Sequence, residues 1–278
     1  MNKNPKISVL TPLYNTNPEY LKEMINSVLN QTFKDFEFII LNDSPDNYKI
    51  ETIVKSYNDP RIKYYKNDVN MGISASRNRL IDLASGEYLA IFDHDDISLH
   101  TRLEKQADYL DKHPSTGVVS CNYKTIYSKR ITNFPVENIN IKKELVIMGL
   151  VMVHSGAMIR KSVLIDNNLR YEEEFSPCED YMLWARLINK TIFHNIKEVL
   201  LLYRDSRDNT SNKQSELMAD CTDRIKNFLY KEYPYYKSLS SANSCIYLFG
   251  IPIIKKQCSG NRIKYLLFGK IPFLKEVK

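Results

Sequence analysis

The sequence predicts an α/β fold built on a mostly parallel, doubly wound sheet. Up to about residue 120, short β-rich runs alternate strictly with segments whose apolar residues recur at helical spacing. The chain has 278 residues, 43% of them hydrophobic, which is enough to fill one large core. In doubly wound sheets, ligands bind beyond the carboxyl ends of the strands. The loops at those ends are therefore the first place to look for a functional site.

Five β-rich runs are the predicted strands, at 6–14, 36–41, 62–65, 88–92 and 117–121. The first helix is predicted at 17–29, with Asn17 as its cap, Pro18 in its first turn and one apolar face. Helical spacing recurs at 50–57, 73–84 and 99–110.

The pattern loosens after residue 120. Helices are predicted near 181–188 and 217–230, a strand at 198–204, and a polar loop at 206–215. We therefore expect a main domain over 1–215, divided into a first part (1–120) and a second part (121–215). Residues 216–278 are expected to form a helical and basic aromatic extension.

The net charge of +6 is concentrated at the C-terminal end. Residues 245–278 hold seven basic residues and one acid, so the rest of the chain is near neutral. This distribution favours an anionic membrane surface as partner of the tail and argues against nucleic acid. An equally open alternative is a tail packed on the protein with its lysines in solvent. The tail also repeats itself, as "YLFGIPIIK" (247–255) and "YLLFGKIPFLK" (265–275).

Composition also indicates the compartment. The N-terminus shows no secretory signal, and the longest apolar stretch, 145–153, is shorter than a spanning helix needs. Five scattered cysteines without a CxxC pair favour reduced thiols. We expect a cytoplasmic protein, peripheral on the inner face of the cell membrane if the tail binds lipid.

Three predicted strands end in chemically distinctive loops. The first ends in "TPLYN" (11–15), the second in "LNDSPD" (41–46) and the fourth in "DHDD" (93–96). An aromatic ring, an isolated carboxylate and an acidic cluster thus meet at one edge of the sheet. This combination predicts a place for a ring system beside a place for a metal.

The acidic cluster consists of Asp93, Asp95 and Asp96. Carboxylates this close disfavour each other's ionisation unless a cation compensates, and a hard divalent ion, Mg²⁺ or Mn²⁺, prefers such oxygen ligands. Alternatively, Asp96 or Ser98 caps the next helix, although a cap explains only one of the three acids. For Asp43, after the second strand, an Asx turn is the competing interpretation.

Four ordered motifs resemble the family 2 glycosyltransferases, inverting sugar-nucleotide enzymes with the GT-A fold. They are "ISVLTPLYN", "QTFKDFEFIILND", "NMGISASRNRLIDLASGEYLAIFDHDD" and "EDYMLWAR". The resemblance covers roughly residues 5–210, and it implies that 1–120 is the nucleotide-binding part and 121–215 the acceptor part of the main domain. It implies a hexosyl- or N-acetylhexosaminyltransferase that uses a nucleotide-sugar donor.

The resemblance also implies roles for particular residues. On the donor side it implies Tyr14 and Asp43 at the base, with Pro12 beside them, and Arg77 as a candidate diphosphate contact. It further implies that Asp93 and Asp95 hold ribose and diphosphate, that Asp95 and Asp96 hold the metal, and that Asp180 is the catalytic base next to Glu179.

The chemistry of the implied reaction is consistent with Asp180 as the base, because inverting transfer needs a carboxylate to take the acceptor proton. Both acids of "CED" could instead complement a helix N-terminus. Glu179 and His154 are expected on the acceptor side, although a lone His beside an apolar stretch is more often structural.

The chain departs from the family at Ser206, where a His is common after Tyr-Arg. Arg204 or Arg207 could supply the missing contact.

The predicted activity is metal-dependent transfer from a nucleotide sugar, most simply UDP-linked, to a saccharide or lipid-linked saccharide acceptor. A surface glycan such as lipopolysaccharide or capsule suits the basic tail. The alternatives are a non-catalytic sugar-nucleotide binding module and a sugar-nucleotide pyrophosphorylase. The second needs a Gly-rich loop after the first strand, and "TPLYNTNPEY" has no glycine.

Overall fold

Helices cover both faces of one eight-stranded sheet, which confirms the predicted α/β fold. The computed structural model describes residues 4–206, 214–236, 245–248, 251–259, 262–267 and 271–274. The strands of the large sheet are β1 (Ile7–Leu13), β2 (Phe36–Asn42), β3 (Ile62–Lys66), β4 (Tyr88–Ile91), β5 (Ile97–Ser98), β6 (Thr116–Thr125), β7 (Met158–Arg160) and β8 (Ile192–Tyr203).

The sheet is mostly parallel, as predicted. Its strand order is β3-β2-β1-β4-β7-β6-β8-β5. Strands β3, β2, β1 and β4 are parallel neighbours, and β6 is parallel to β8. The short β7 runs antiparallel between β4 and β6, and β5 runs antiparallel along β8. The carboxyl ends of β1, β2, β3 and β4 therefore share one edge.

The helices lie largely where the spacing predicts them. They are α1 (Pro18–Leu29), α2 (Tyr48–Lys55), α3 (Ile73–Leu83), α4 (Arg102–Lys112), α5 (Asn138–Ile147), α6 (Lys161–Asp166), α7 (Glu179–Leu187) and α8 (Ser215–Glu232). Asn17 caps α1, since its side chain accepts a 2.9 Å hydrogen bond from the Glu19 N–H. The sequence did not predict α5, α6 or β7.

Two apolar clusters sandwich the sheet. One packs the buried faces of α1, α2 and α4 against β1 and β2, with Leu21 and Leu103 among its residues. The other lies under α3, α5, α7 and α8 and includes Leu80 and Trp184. Burying one such side chain is worth about 1.5–3 kcal/mol, so each helix is fixed against the sheet mainly by its apolar face.

Helix α8 belongs to this core. Cys221, Ile225 and Leu229 on α8 are buried in the same cluster as Trp184 of α7. Within the described residues, α8 therefore packs against the part of the chain that precedes residue 215, and the predicted domain boundary there stays a prediction. The seven residues 207–213, which include Arg207, lie outside the described residues.

The end of the chain forms a second, antiparallel sheet. Its strands are β9 (Cys245–Leu248), β10 (Ile251–Ser259), β11 (Arg262–Leu267) and β12 (Ile271–Leu274), paired in that order. Each copy of the sequence repeat spans two consecutive strands of this sheet. No helix within the described residues has the length and apolar character needed to cross a bilayer.

Candidate active site

The predicted site residues gather at the carboxyl edge of the parallel strands. Leu13 at the end of β1 is in register with Asn42 at the end of β2, and Asn42 with Lys66 at the end of β3. Asp93 follows β4, which is parallel to β1. The loops after β1, β2 and β4 therefore meet, as the sequence predicts.

Tyr14 stands exposed at this edge. Its side chain is 56% accessible, whereas Pro12 is buried within β1. The next residue, Asn15, adopts a positive φ of 45° and donates its N–H to Ser44 Oγ at 2.7 Å. This bond ties the loop after β1 to the loop after β2 and leaves the Tyr14 ring free to stack on a planar ligand.

Asp43 is buried, 3% exposed, and holds the loop that leads into α3. Its Oδ1 accepts hydrogen bonds from Asn67 Nδ2 (2.5 Å) and the Met71 N–H (2.8 Å). Its Oδ2 accepts from Asn70 Nδ2 (3.2 Å) and the Gly72 N–H (2.9 Å). Each carboxylate oxygen thus has two donors, and contact with a base would have to displace one of them. The base-binding role of Asp43 stays a prediction.

The acidic cluster after β4 is divided between different partners. Asp93 accepts a 3.1 Å hydrogen bond from Arg77 Nη2, and its own N–H donates to Ser155 Oγ at 3.0 Å. Burial is the largest influence on Asp93 and opposes its ionisation, but the charge and hydrogen bond of Arg77, together with smaller contributions from His154 and His94, hold the pKa of Asp93 below its ordinary value. Asp93 is therefore already compensated by a cation.

Asp95 and Asp96 are not compensated in this way. Among the residues that the structure describes, no basic side chain forms an ion pair with either carboxylate. Asp96 is 1% exposed; its Oδ1 accepts from the Arg204 N–H, whereas Oδ2 is buried without a hydrogen-bond partner. Burial, followed by the charges of Asp95 and Asp93, raises the pKa of Asp96 well above its ordinary value.

These two carboxylates fit a hard divalent cation. An unpartnered, buried carboxylate oxygen next to a second acid is an arrangement that a cation relieves. Within the described part of the chain no three His, Cys, Asp or Glu side chains form a complete ligand set. Mg²⁺ and Mn²⁺ sites commonly combine one or two carboxylates with substrate phosphates, so two protein ligands are sufficient.

Arg77 joins the acidic loop to the predicted base motif. Its Nη1 donates to Glu179 Oε1, its Nη2 to Asp93, and its guanidinium lies 5.5 Å from the centre of the Tyr171 ring. Two ion pairs therefore occupy a side chain that the sequence assigned to a diphosphate. Glu179 is buried in the same contact and pairs with Arg77, and its expected place on the acceptor side stays a prediction.

Asp180 is half-buried in the first turn of α7. Its Oδ1 accepts a 2.7 Å hydrogen bond from the N–H of Tyr181. Burial, followed by the charge of Glu179, raises the pKa of Asp180 to about 6, although Arg77 opposes the shift. A carboxyl that titrates near neutral pH is well suited to accept a proton.

A neighbouring amide, Asn78, fixes the segment that leads to this motif. Asn78 Nδ2 donates to the Tyr171 carbonyl at 2.9 Å, and the Tyr171 N–H donates back to Asn78 Oδ1 at 2.8 Å. The adjacent residues Arg77 and Asn78 thus hold both sides of the candidate site.

His154 lies in the packed interior behind the candidate site. The side chain is buried, its Nε2 lies 2.9 Å from Tyr171 Oη, and its ring contacts the rings of Tyr171 and Trp184. Burial, with a further contribution from Arg77, lowers the pKa of His154 to about 3. The ring is neutral at physiological pH, and the expected place on the acceptor side is not supported by its burial.

A known family matches this chain. The profile of the family described as "Glycosyl transferase family 2" matches residues 8–167, more than half of the sequence. An uncharacterized glycosyltransferase of Methanocaldococcus jannaschii is 38% identical over 74% of this chain and 73% of its own length. The O-antigen biosynthesis glycosyltransferase WbnJ of Escherichia coli is 29% identical over 85% of this chain and 92% of its own. This chain spans only 38% of the length of two longer rickettsial relatives.

Solved structures share the fold. Residues 1–349 of Staphylococcus aureus TarS in complex with UDP-GlcNAc superpose with a TM-score of 0.66 at 18% identity, over 84% of this chain and 74% of that one. The mannosyltransferase PcManGT of Pyrobaculum calidifontis, in complex with GDP-Man and Mn²⁺, gives 0.59 at 13% identity, over 87% and 74%. At these identities the likeness concerns the fold, which is the GT-A type expected from the sequence motifs.

Proposed function

Because this chain belongs to glycosyl transferase family 2 and is a glycosyltransferase, we propose that it transfers a hexosyl or N-acetylhexosaminyl group, with inversion, from a UDP-sugar to a saccharide acceptor. Asp180 is the general base of this reaction. As Asp180 takes the proton of the acceptor hydroxyl, that oxygen forms its bond to the anomeric carbon, and the bond from this carbon to the diphosphate breaks.

The observation that carries this proposal is the environment of Asp180. Its carboxyl is half-buried at the start of α7, its pKa is raised to about 6, and Arg77 connects its neighbour Glu179 to Asp93 of the donor side. A base with this pKa is mostly ionised at pH 7 and still accepts a proton readily. The ordinary role of an acid at a helix N-terminus requires no such shift.

The donor is proposed to lie along the edge formed by Tyr14, Asp43 and Asp93. The exposed ring of Tyr14 stacks on the base, and Asp95 and Asp96 hold a divalent ion, Mn²⁺ or Mg²⁺. A divalent ion bound there supplies positive charge to the leaving diphosphate. A UDP donor is supported by the solved relative bound to UDP-GlcNAc.

The acceptor is proposed to be part of a surface glycan, such as lipopolysaccharide or capsule. The support is the similarity to the O-antigen glycosyltransferase of E. coli, which covers 92% of that relative. We further propose that residues 245–278 bring the enzyme to an anionic membrane surface, because they hold seven basic residues and one acid. Flotation with anionic liposomes tests this, since a chain ending at Ser244 should stay in the soluble fraction while the full chain floats.

A panel of nucleotide sugars tests the donor. Thermal unfolding is recorded with each compound in the presence and absence of Mn²⁺, and one UDP-sugar is expected to raise the melting temperature only with the ion. That compound is then assayed for transfer with the unsubstituted chain and with Asp180→Asn. Binding without any transfer by the unsubstituted chain would instead identify a sugar-nucleotide binding module.

A further inference from the structure

Arg204 lies at the end of β8, directly beside the loop that carries the acidic cluster. Strand β5 begins one residue after Asp96 and pairs with β8, Ile97 opposite Leu202. The Arg204 side chain is 5% exposed. The family resemblance singled out this region only because Ser206 replaces a common His.

Two bonds from Arg204 reach the two residues proposed to bind metal. Its backbone N–H donates to Asp96 Oδ1 at 2.9 Å, and its Nε donates to the backbone carbonyl of Asp95 at 2.6 Å. The first bond orients the carboxylate of Asp96, whose other oxygen, Oδ2, is buried without a hydrogen-bond partner. The second bond fixes the peptide that joins the two acids.

The guanidinium is itself held from three sides. Nη2 donates to Glu23 Oε2 of α1 at 2.5 Å, the group lies 3.9 Å from the centre of the Tyr20 ring, and Nη1 is 3.4 Å from Tyr127 Oη. The adjacent Asp205 accepts the N–H groups of Tyr127 and Ser128. Helix α1 and the turn after β6 thus anchor Arg204.

We propose that Arg204 is a positioning residue that holds Asp95 and Asp96 in the conformation that binds a divalent ion together with the donor diphosphate. This inference rests on the proposed function. A direct contact with diphosphate is disfavoured, because the guanidinium is buried and directed to Glu23 and to the Asp95 carbonyl. Arg204 acts through the two acids, in the way that outer residues orient the ligands of a metal site.

The test measures Mn²⁺ binding to the full chain in the presence of saturating UDP. Binding is monitored through the EPR signal of free Mn²⁺. Arg204→Lys keeps the charge but cannot span Glu23 and the Asp95 carbonyl with one planar group. We expect the apparent Kd for Mn²⁺ to rise by about 10- to 100-fold, the usual effect of losing an outer support. Glu23→Gln removes the carboxylate that anchors the Arg204 guanidinium. Because Glu23 is 51% exposed, this variant should fold more readily, and it should weaken Mn²⁺ binding by a smaller factor, on the order of threefold.

The matched control is Arg160→Lys. Like Arg204, Arg160 donates to a carboxylate, that of Glu87, and to a backbone carbonyl, that of Leu110. It lies beside the opposite edge of the sheet. The Arg160→Lys substitution should lower the melting temperature without changing the affinity of the chain for Mn²⁺.

The outcomes separate the two proposals. Mn²⁺ affinity within twofold of the unsubstituted chain in both Arg204→Lys and Glu23→Gln would overturn the positioning role and leave the proposed function intact. An unsubstituted chain that binds no Mn²⁺ with any nucleotide would overturn both.

Discussion

Replacing Asp180 by Asn separates the proposed general base from an acid that merely complements a helix. The Asn side chain keeps an oxygen that can accept the Tyr181 N–H, so the start of α7 is preserved. What is lost is the ability to take a proton. We expect kcat to fall by about 10²- to 10⁴-fold, the usual contribution of general base catalysis, with UDP affinity unchanged.

The pH dependence of the unsubstituted enzyme follows from the same group. With a pKa of about 6, Asp180 is about nine-tenths ionised at pH 7 and about one-tenth ionised at pH 5. The ionised form is the base, so kcat should fall as pH falls through 6 and approach a tenfold loss per unit below it. The acidic limb is measured as kcat at saturating donor and acceptor between pH 5 and 8.

Stability should move in the opposite direction. A carboxyl with a raised pKa in the folded state stabilises the protein most below its unfolded pKa and loses that contribution as pH rises through about 6. The shift from 3.8 to about 6 corresponds to at most about 3 kcal/mol. Asp180→Asn should therefore be at least as stable as the unsubstituted chain at pH 8 when melting temperatures are compared.

Glu104→Gln is the matched control, because Glu104 lies in the first turn of α4, away from the candidate site. It should leave kcat and the acidic limb unchanged. The base assignment is refuted if Asp180→Asn keeps kcat within threefold of the unsubstituted enzyme, or if the variant retains the limb near pH 6.

Three further substitutions test the surroundings of the site. Arg77→Gln leaves the buried carboxylate of Glu179 and the partly buried carboxylate of Asp93 without their cation, so urea denaturation should show a loss of about 3–5 kcal/mol. The acidic limb should move above 6, because Arg77 lowers the pKa of Asp180. Unchanged stability would contradict the buried ion pairs. Asp43→Asn places an amide donor against backbone N–H groups, so UDP titration should show weaker binding and the free energy of unfolding should fall by about 1–3 kcal/mol. Equal UDP affinity would argue that the loop does not shape the donor site. Leu229→Ala in α8 should cost about 2–5 kcal/mol in a single unfolding transition, while the half-exposed Leu217→Ala costs little; two separate transitions would mean that α8 is a domain apart.

Local patterns in the sequence were sufficient for the elements that local physics determines. The cap at Asn17, Pro18 and the apolar stripe define α1 within one window of residues, and the structure reproduces it. Alternation of strands and helices defined the sheet edge and brought Tyr14, Asp43 and Asp93 to it. These predictions needed no knowledge of contacts between distant parts of the chain.

Local patterns of this kind could not predict contacts between residues that are far apart in the sequence. Asp43 is bound by backbone groups 28 and 29 residues away, and Arg204 by Glu23 at a separation of 181 residues. No periodicity predicts such pairs, because they depend on how the loops close over the finished sheet. The sequence therefore identified which residues lie at the edge, but it did not predict the ion pair between Arg77 and Glu179.

The crowded acids after β4 illustrate the same limit in electrostatic terms. Like charges this close need compensation, for which the sequence suggested a metal, with a helix cap as the alternative for Asp96. In the folded chain Arg77 pairs with Asp93, and Arg204 donates to Asp96 and to the backbone of Asp95, so protein groups provide part of the compensation. The uncompensated remainder is the Asp95 carboxylate and one oxygen of Asp96. A divalent ion bound there, as proposed, would supply the positive charge that these protein groups do not provide.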